Sequence, residues 1–107
     1  MIWHIEYSAK AKEDLSNIAD YLTYVLFTPD SARKIVSTIL GEIEALTFMP
    51  SKFSYYPHEP WYSQHIRFFP VKKYNVLYYE DESTGIINIV RIMYASRDVA
   101  AQFDESF

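Results

Sequence analysis

Two amphipathic segments meet at Pro29, and that junction restricts the fold more than any other feature of the chain. Before it, Leu15, Ile18, Ala19, Leu22 and Val25 recur at three- and four-residue steps, with Lys12, Glu13, Asp14, Asn17 and Asp20 off the stripe. That is the period of a helix with one apolar face. Ser8 is placed to cap it, and it should stop near Phe27-Thr28-Pro29, because proline disfavours helical geometry in the residue before it. Beyond the junction, Asp30 or Ser31 can cap a second helix whose apolar series is Ala32, Ile35, Val36, Ile39, Ile43 and Leu46. So short a link makes the two helices an antiparallel αα-hairpin, and each carries an apolar stripe that something else must cover. Gly41 interrupts the second helix at a cost of about 1 kcal/mol relative to alanine, which points to a close crossing with the first helix or with the sheet.

The cover has to come from the strands. Ile2 to Tyr7 alternates well enough for a short one. Met49-Pro50 ends the helical region, and the stretch from Ser51 to Ser63, punctuated by Pro57 and Pro60 and carrying Tyr55, Tyr56, Trp61 and Tyr62, reads as a loop that folds back on the domain. Gln64 to Val71 is a second strand, with Pro70 favouring an edge position or a bulge. Tyr74 to Tyr79 and Ile86 to Tyr94 then form a hairpin, joined by an acidic link that closes on Gly85 with the length and glycine placement of a hairpin with a bulge. Tyr74, Val76 and Tyr78 share one face of it and Asn75, Leu77 and Tyr79 the other; neither set is polar enough to say which is buried. The expected architecture is α+β, a single domain over residues 1–107: an N-terminal strand, the αα-hairpin, then a mostly antiparallel three-stranded meander packed against the helices. After Arg97-Asp98, Val99 to Phe103 could add one helical turn capped by Asp98.

Composition bears on what such a domain can do. No cysteine is available for a thiolate site, and His4, His58 and His65 lie too far apart to suggest a zinc cage, so no metal and no cofactor is expected. With no basic-then-apolar leader and no apolar run near the ~18 residues of a membrane span, the expected location is a reducing cytoplasm, away from the membrane. A net charge of −4 argues against a generic nucleic-acid binder. Yet Pro60 to Tyr79 contains no acidic residue and interleaves His65, Arg67, Lys72 and Lys73 with seven aromatics. That pattern suits either a single-stranded nucleic-acid platform or core aromatics beside a solvated strand edge, and composition alone favours the second. The last strand carries Arg91 and Tyr94, with Arg97 just past it.

The order Ile5-x-Tyr7-Ser8-x-x-Ala11-x-x-Asp14-Leu15-x-x-Ile18-x-x-Tyr21, then Ala45-Leu46 with Met49-Pro50, Arg67, Tyr74-x-Val76-x-Tyr78 and Arg91-Ile92-x-Tyr94-x-x-Arg97-Asp98 resembles the RelE/ParE family of bacterial toxins. The resemblance runs from Ile5 to Asp98 and implies the toxic half of a type II toxin–antitoxin module, bound by a cognate antitoxin in a hetero-oligomer. RelE-like members of the family cut mRNA on the ribosome with metal-free acid–base chemistry; ParE-like members bind DNA gyrase and perform no chemical step. In the first case the resemblance assigns catalysis to Arg67, Lys73, Tyr94 and Arg97. In the second it assigns target binding and toxicity to Arg67, Arg91, Tyr94 and Arg97.

Two positions favour the ParE-like branch. Asn75 stands where the RelE-like pattern has an arginine, and Phe103 where it has a catalytic tyrosine. Asparagine has no charge to offer and phenylalanine no proton. The expected role is therefore a growth-inhibiting toxin that acts on DNA gyrase and takes part in plasmid stabilisation. A ribosome-dependent endoribonuclease and a detoxified antitoxin-binding module stand as alternatives. Arg91 also has a structural reading, as the partner of a helix carboxylate.

Overall fold

The structure is a computed structural model and describes residues 2–95. The expectations for Ser96 onward, including the roles of Arg97 and Phe103 and the helical turn after Asp98, lie outside those residues.

Ser8 sets the first helix as expected. Its Oγ accepts the Ala11 N–H at 2.9 Å and donates to the Val90 carbonyl at 2.8 Å, and its own N–H reaches the Ile89 carbonyl at 2.9 Å. One residue thus caps α1 (Ala9–Asp20) and fastens it to the last strand. The helix continues into a π-helical turn, Tyr21–Val25, in which the Leu26 N–H bonds the Tyr21 carbonyl five residues back. This wider turn advances by a smaller angle per residue, so Leu22 stays buried while Val25 faces solvent, against the expectation that both share the apolar stripe.

Neither Asp30 nor Ser31 caps the second helix. Pro29 opens α2 (Pro29–Glu44), where its fixed φ is pre-set for the first helical position. Thr28 occupies the cap position and turns both its N–H and its hydroxyl to the Leu22 carbonyl, at 2.8 and 2.9 Å, which ties the hairpin's ends together. A 3-10 turn, Ala45–Phe48, brings the helical region to Met49-Pro50. Gly41 does not mark a crossing: it is exposed, and a side chain built on it would meet nothing within 4 Å.

Four strands form one sheet: β1 (His4–Tyr7), β2 (Arg67–Val71), β3 (Tyr74–Asp81) and β4 (Ile86–Tyr94), in the order β1-β4-β3-β2. β1 runs parallel to β4 and the other neighbours are antiparallel, so the meander is as expected and the N-terminal strand closes its far edge. Pro70 lies on edge strand β2, where its missing N–H costs no ladder bond. That strand starts at Arg67, later than expected, because residues 61–66 turn on themselves and the Ile66 N–H bonds the Trp61 carbonyl at 3.1 Å.

Gly85 takes the left-handed backbone (φ 72°) that closes the β3–β4 link. The register shift falls farther along, at Leu77/Tyr78, where Leu77 opposes Arg91 and Tyr78 opposes Ile89, leaving Val90 as the extra residue. A regular strand alternates faces, yet Ile89 and Ile92 both enter the helix-side core, and the bulge is what allows it.

Both faces of the hairpin prove to be buried. Tyr74, Val76 and Tyr78 join the helix stripes in one core. On the opposite face Leu77 and Met93 pack with Tyr56, Trp61 and Ile66 from the aromatic loop, which folds back on the sheet as expected. β3 therefore reads as a continuous apolar run because it is covered on two sides. Among the described residues, no helix is long and apolar enough to cross a membrane.

Candidate functional site

The residues singled out in the sequence fall into two environments. Arg67 and Arg91 are tied into the body of the domain, whereas Lys73 and Tyr94 lie together at one end of the sheet.

Arg67 begins β2, beside the aromatic loop. Its Nε donates to both carboxylate oxygens of Glu80, at 3.0 and 2.9 Å, and its Nη1 to the Phe53 carbonyl at 2.7 Å. The guanidinium also lies 4.5 Å from the centre of the Tyr55 ring, which in turn stacks on His65. With side-chain exposures of 17% for Arg67 and 14% for Glu80, this is a partly desolvated ion pair that holds the loop against the edge strand.

Arg91 follows the bulge in β4. Its Nε and Nη2 donate to the two oxygens of Asp14 at 2.8 and 3.1 Å, and Asp14 also accepts the Ile92 N–H at 2.9 Å. The structural reading of Arg91, partnership with a helix carboxylate, is the one observed.

Tyr94 ends β4 with half of its surface exposed, and its ring meets Tyr74 edge-on at 5.8 Å. Lys73 sits in the β2–β3 turn, exposed, and its carbonyl accepts the Ala95 N–H at 2.8 Å, so the turn and the exit of β4 are stitched together. Tyr21 approaches from the π-helical turn. Burial first, then the neighbouring phenols of Tyr94 and Tyr21, push the Tyr74 hydroxyl above the ordinary tyrosine range, so it stays protonated and can donate. Asn75 is half-buried in the middle of this region, opposite Pro70 on β2 and Met93 on β4.

The sequence reading overlooked the apolar tip of the helical hairpin. Tyr21, Tyr24, Val25, Leu26 and Phe27 are all exposed, Phe27 at 81% with a left-handed backbone (φ 54°). The available signal was an apolar run before Pro29 that exceeds what one helical face can bury. Glu80, the partner of Arg67, was also missed, since nothing local links residues that meet across two strands.

A helical hairpin laid across a mostly antiparallel sheet recurs in solved structures of toxin–antitoxin assemblies. The fold is shared with the chromosomal ParDE toxin–antitoxin system of P. aeruginosa (TM-score 0.72, 22% identity, covering 89% of this chain and 98% of that one). It is shared more loosely with the RelBE2 toxin–antitoxin complex of Mycobacterium tuberculosis (TM-score 0.58, 15% identity, covering 88% and 99%). No curated protein matches the sequence significantly. The family model for the ParE toxin of the type II toxin–antitoxin system parDE matches residues 5–99, and the chain belongs to that family.

Proposed function

We propose that the protein inhibits growth by binding DNA gyrase and is neutralised by a cognate antitoxin. The observation that carries this reading is the employment of Arg67 and Arg91. RNA cleavage by 2′-hydroxyl attack needs a cation free to stabilise charge on phosphorus and groups placed to move two protons. Both guanidinium groups are instead spent on Glu80 and Asp14, Asn75 near the Lys73 turn carries no charge, and of the candidate cations among the described residues only Lys73 is left exposed. What the sheet end offers is a surface suited to contact: exposed Lys73 and Tyr94, the latter against the buried Tyr74 ring, next to the apolar tip of exposed Tyr21, Tyr24, Val25, Leu26 and Phe27. Toxicity is assigned to Tyr94, Lys73 and Arg97, with Arg67 and Arg91 acting through the shape of the sheet. The antitoxin partner is inferred from the relatives, both of which are toxin–antitoxin assemblies.

The test is induction of the protein alone in bacteria, followed by assays of gyrase supercoiling in extracts and of mRNA integrity in cells. Impaired supercoiling with intact transcripts is expected. Codon-linked mRNA cuts with normal supercoiling would establish the endoribonuclease instead. Arg97→Ala should abolish growth inhibition while the protein stays folded and antitoxin-bound.

A further inference from the structure

In a chain of net charge −4, Arg33, Lys34 and Lys72 line one open depression between α2 and the β2–β3 turn. Lys73 follows Lys72 in that turn, so the cationic wall runs round to the sheet end. Among the described residues, Lys34, Lys72 and Lys73 make no ion pair, and Arg33 pairs only with exposed Asp30. No carboxylate lines the depression itself. Lys72 also holds a left-handed backbone (φ 55°), a conformation that glycine or asparagine adopts with less strain. A cation is kept there against the local backbone preference. The Ser31 and Ser37 side chains stand among the basic ones, whereas the Thr38 hydroxyl is turned back to the Lys34 carbonyl at 2.8 Å. Cations with neutral hydroxyl donors between them are the groups that take phosphate oxygens.

The shape of the wall narrows the ligand. No aromatic ring lines it, so the bases of a single strand would have nothing to stack on. Its one aliphatic side chain is half-buried Ile35, too little to anchor a protein segment. From Ser31 to Thr38 the helix extends about 10 Å, the length of about three nucleotides along one strand of a duplex. Three basic residues thus face about three phosphates. The depression also borders the surface assigned above to target contact, because Lys72 belongs to the one and Lys73 to the other. A DNA-handling enzyme seated on Lys73 and Tyr94 leaves these cations facing outward beside it.

We propose that Arg33, Lys34 and Lys72 bind the sugar–phosphate backbone of duplex DNA carried by the target enzyme, without reading its sequence. The proposal rests on the gyrase reading above and adds a second contact to it. With so few phosphates engaged and an acidic domain behind them, binding to free DNA is weak; the contact gains strength where the target already holds the duplex alongside.

The full chain is tested first against a duplex of about two helical turns, with a single strand of equal length and a glutamate-rich peptide as controls. At low salt the duplex should bind, and its log affinity should fall with log salt at a slope of about −3. Lys34→Glu/Lys72→Glu and Lys34→Ala/Lys72→Gly should each bring that slope to about −1 with unchanged circular dichroism. Glycine fits the left-handed backbone of Lys72, so the second variant keeps the turn. No duplex binding at low salt, a slope unchanged in both variants, or tighter binding of the single strand or of the peptide would overturn the proposal. A second measurement uses gyrase with and without bound duplex. Both variants should bind DNA-free gyrase as the wild type does and lose about tenfold or more in affinity for the gyrase–DNA complex. Equal binding of wild type and variants to that complex removes the DNA contact and leaves the gyrase reading standing. Failure of the wild type to bind gyrase in either form sinks the gyrase reading, and the proposal with it.

Discussion

Arg91 and Asp14 are 77 residues apart in sequence and form a two-pronged ion pair, 2.8 and 3.1 Å long, that joins the last strand to the first helix. Asp14 also accepts the Ile92 N–H, so one carboxylate holds three donors. With side-chain exposures of 12% and 10%, the pair is largely out of water, where losing one partner leaves the other charge stranded. Asp14→Ala is therefore expected to cost about 3–5 kcal/mol, read from urea unfolding, and Arg91→Ala a similar amount. Replacing both by well-packed apolar residues should recover much of the loss. A single-variant cost below about 1 kcal/mol would place the pair among ordinary surface contacts.

Arg67 makes a different demand on its side chain. It feeds two Glu80 oxygens, one backbone carbonyl and an aromatic face at once, a set that the planar guanidinium satisfies and a lysine ammonium does not. Arg67→Lys should lower stability by about 1–3 kcal/mol, and growth inhibition should fall only as far as the folded fraction does. Full stability with lost toxicity would instead make Arg67 a direct target contact.

Alkaline pH should unfold the protein through its buried phenols. Burial raises the Tyr78, Tyr74, Tyr56 and Tyr7 hydroxyls above the ordinary tyrosine value; a nearby Glu80 adds to the shift at Tyr78 and Glu44 to that at Tyr7. For a group whose pKa is higher folded than unfolded, the stabilisation is complete below the unfolded value and declines as pH rises toward the folded one, because the unfolded chain releases its proton first. Urea midpoints should accordingly hold up to about pH 10 and then fall. In a spectrophotometric titration, these tyrosines should ionise together with unfolding, while exposed ones titrate beforehand.

The glycines should respond in opposite directions to alanine. At Gly41 the backbone is helical and the space is open, so Gly41→Ala should raise stability by about 0.5–1 kcal/mol. At Gly85 φ is 72° and an added Cβ would lie 3.2 Å from the Ile2 carbonyl oxygen, so Gly85→Ala should lower it by about 1 kcal/mol or more. Thermal melts of the two variants side by side check both signs.

Much of this fold is written in short-range pattern. The apolar stripes of both helices, the Ser8 cap, the stop at Pro29, the edge position of Pro70 and the turn at Gly85 each depend on residues within a few positions of one another, and the sequence displays them directly. Family markers that span the chain made the toxin fold legible as well. Tertiary structure decided matters that depend on distant partners. It gave the arginines to Glu80 and Asp14, buried both faces of β3 by folding the aromatic loop over one of them, and turned Val25 outward through the π-helical turn. It also left Gly41 facing open space, where local pattern had suggested a crossing. The physical reason is that periodicity fixes which face a side chain occupies along its own element, whereas what that face meets is set by chain topology, which brings together residues that no local spacing connects.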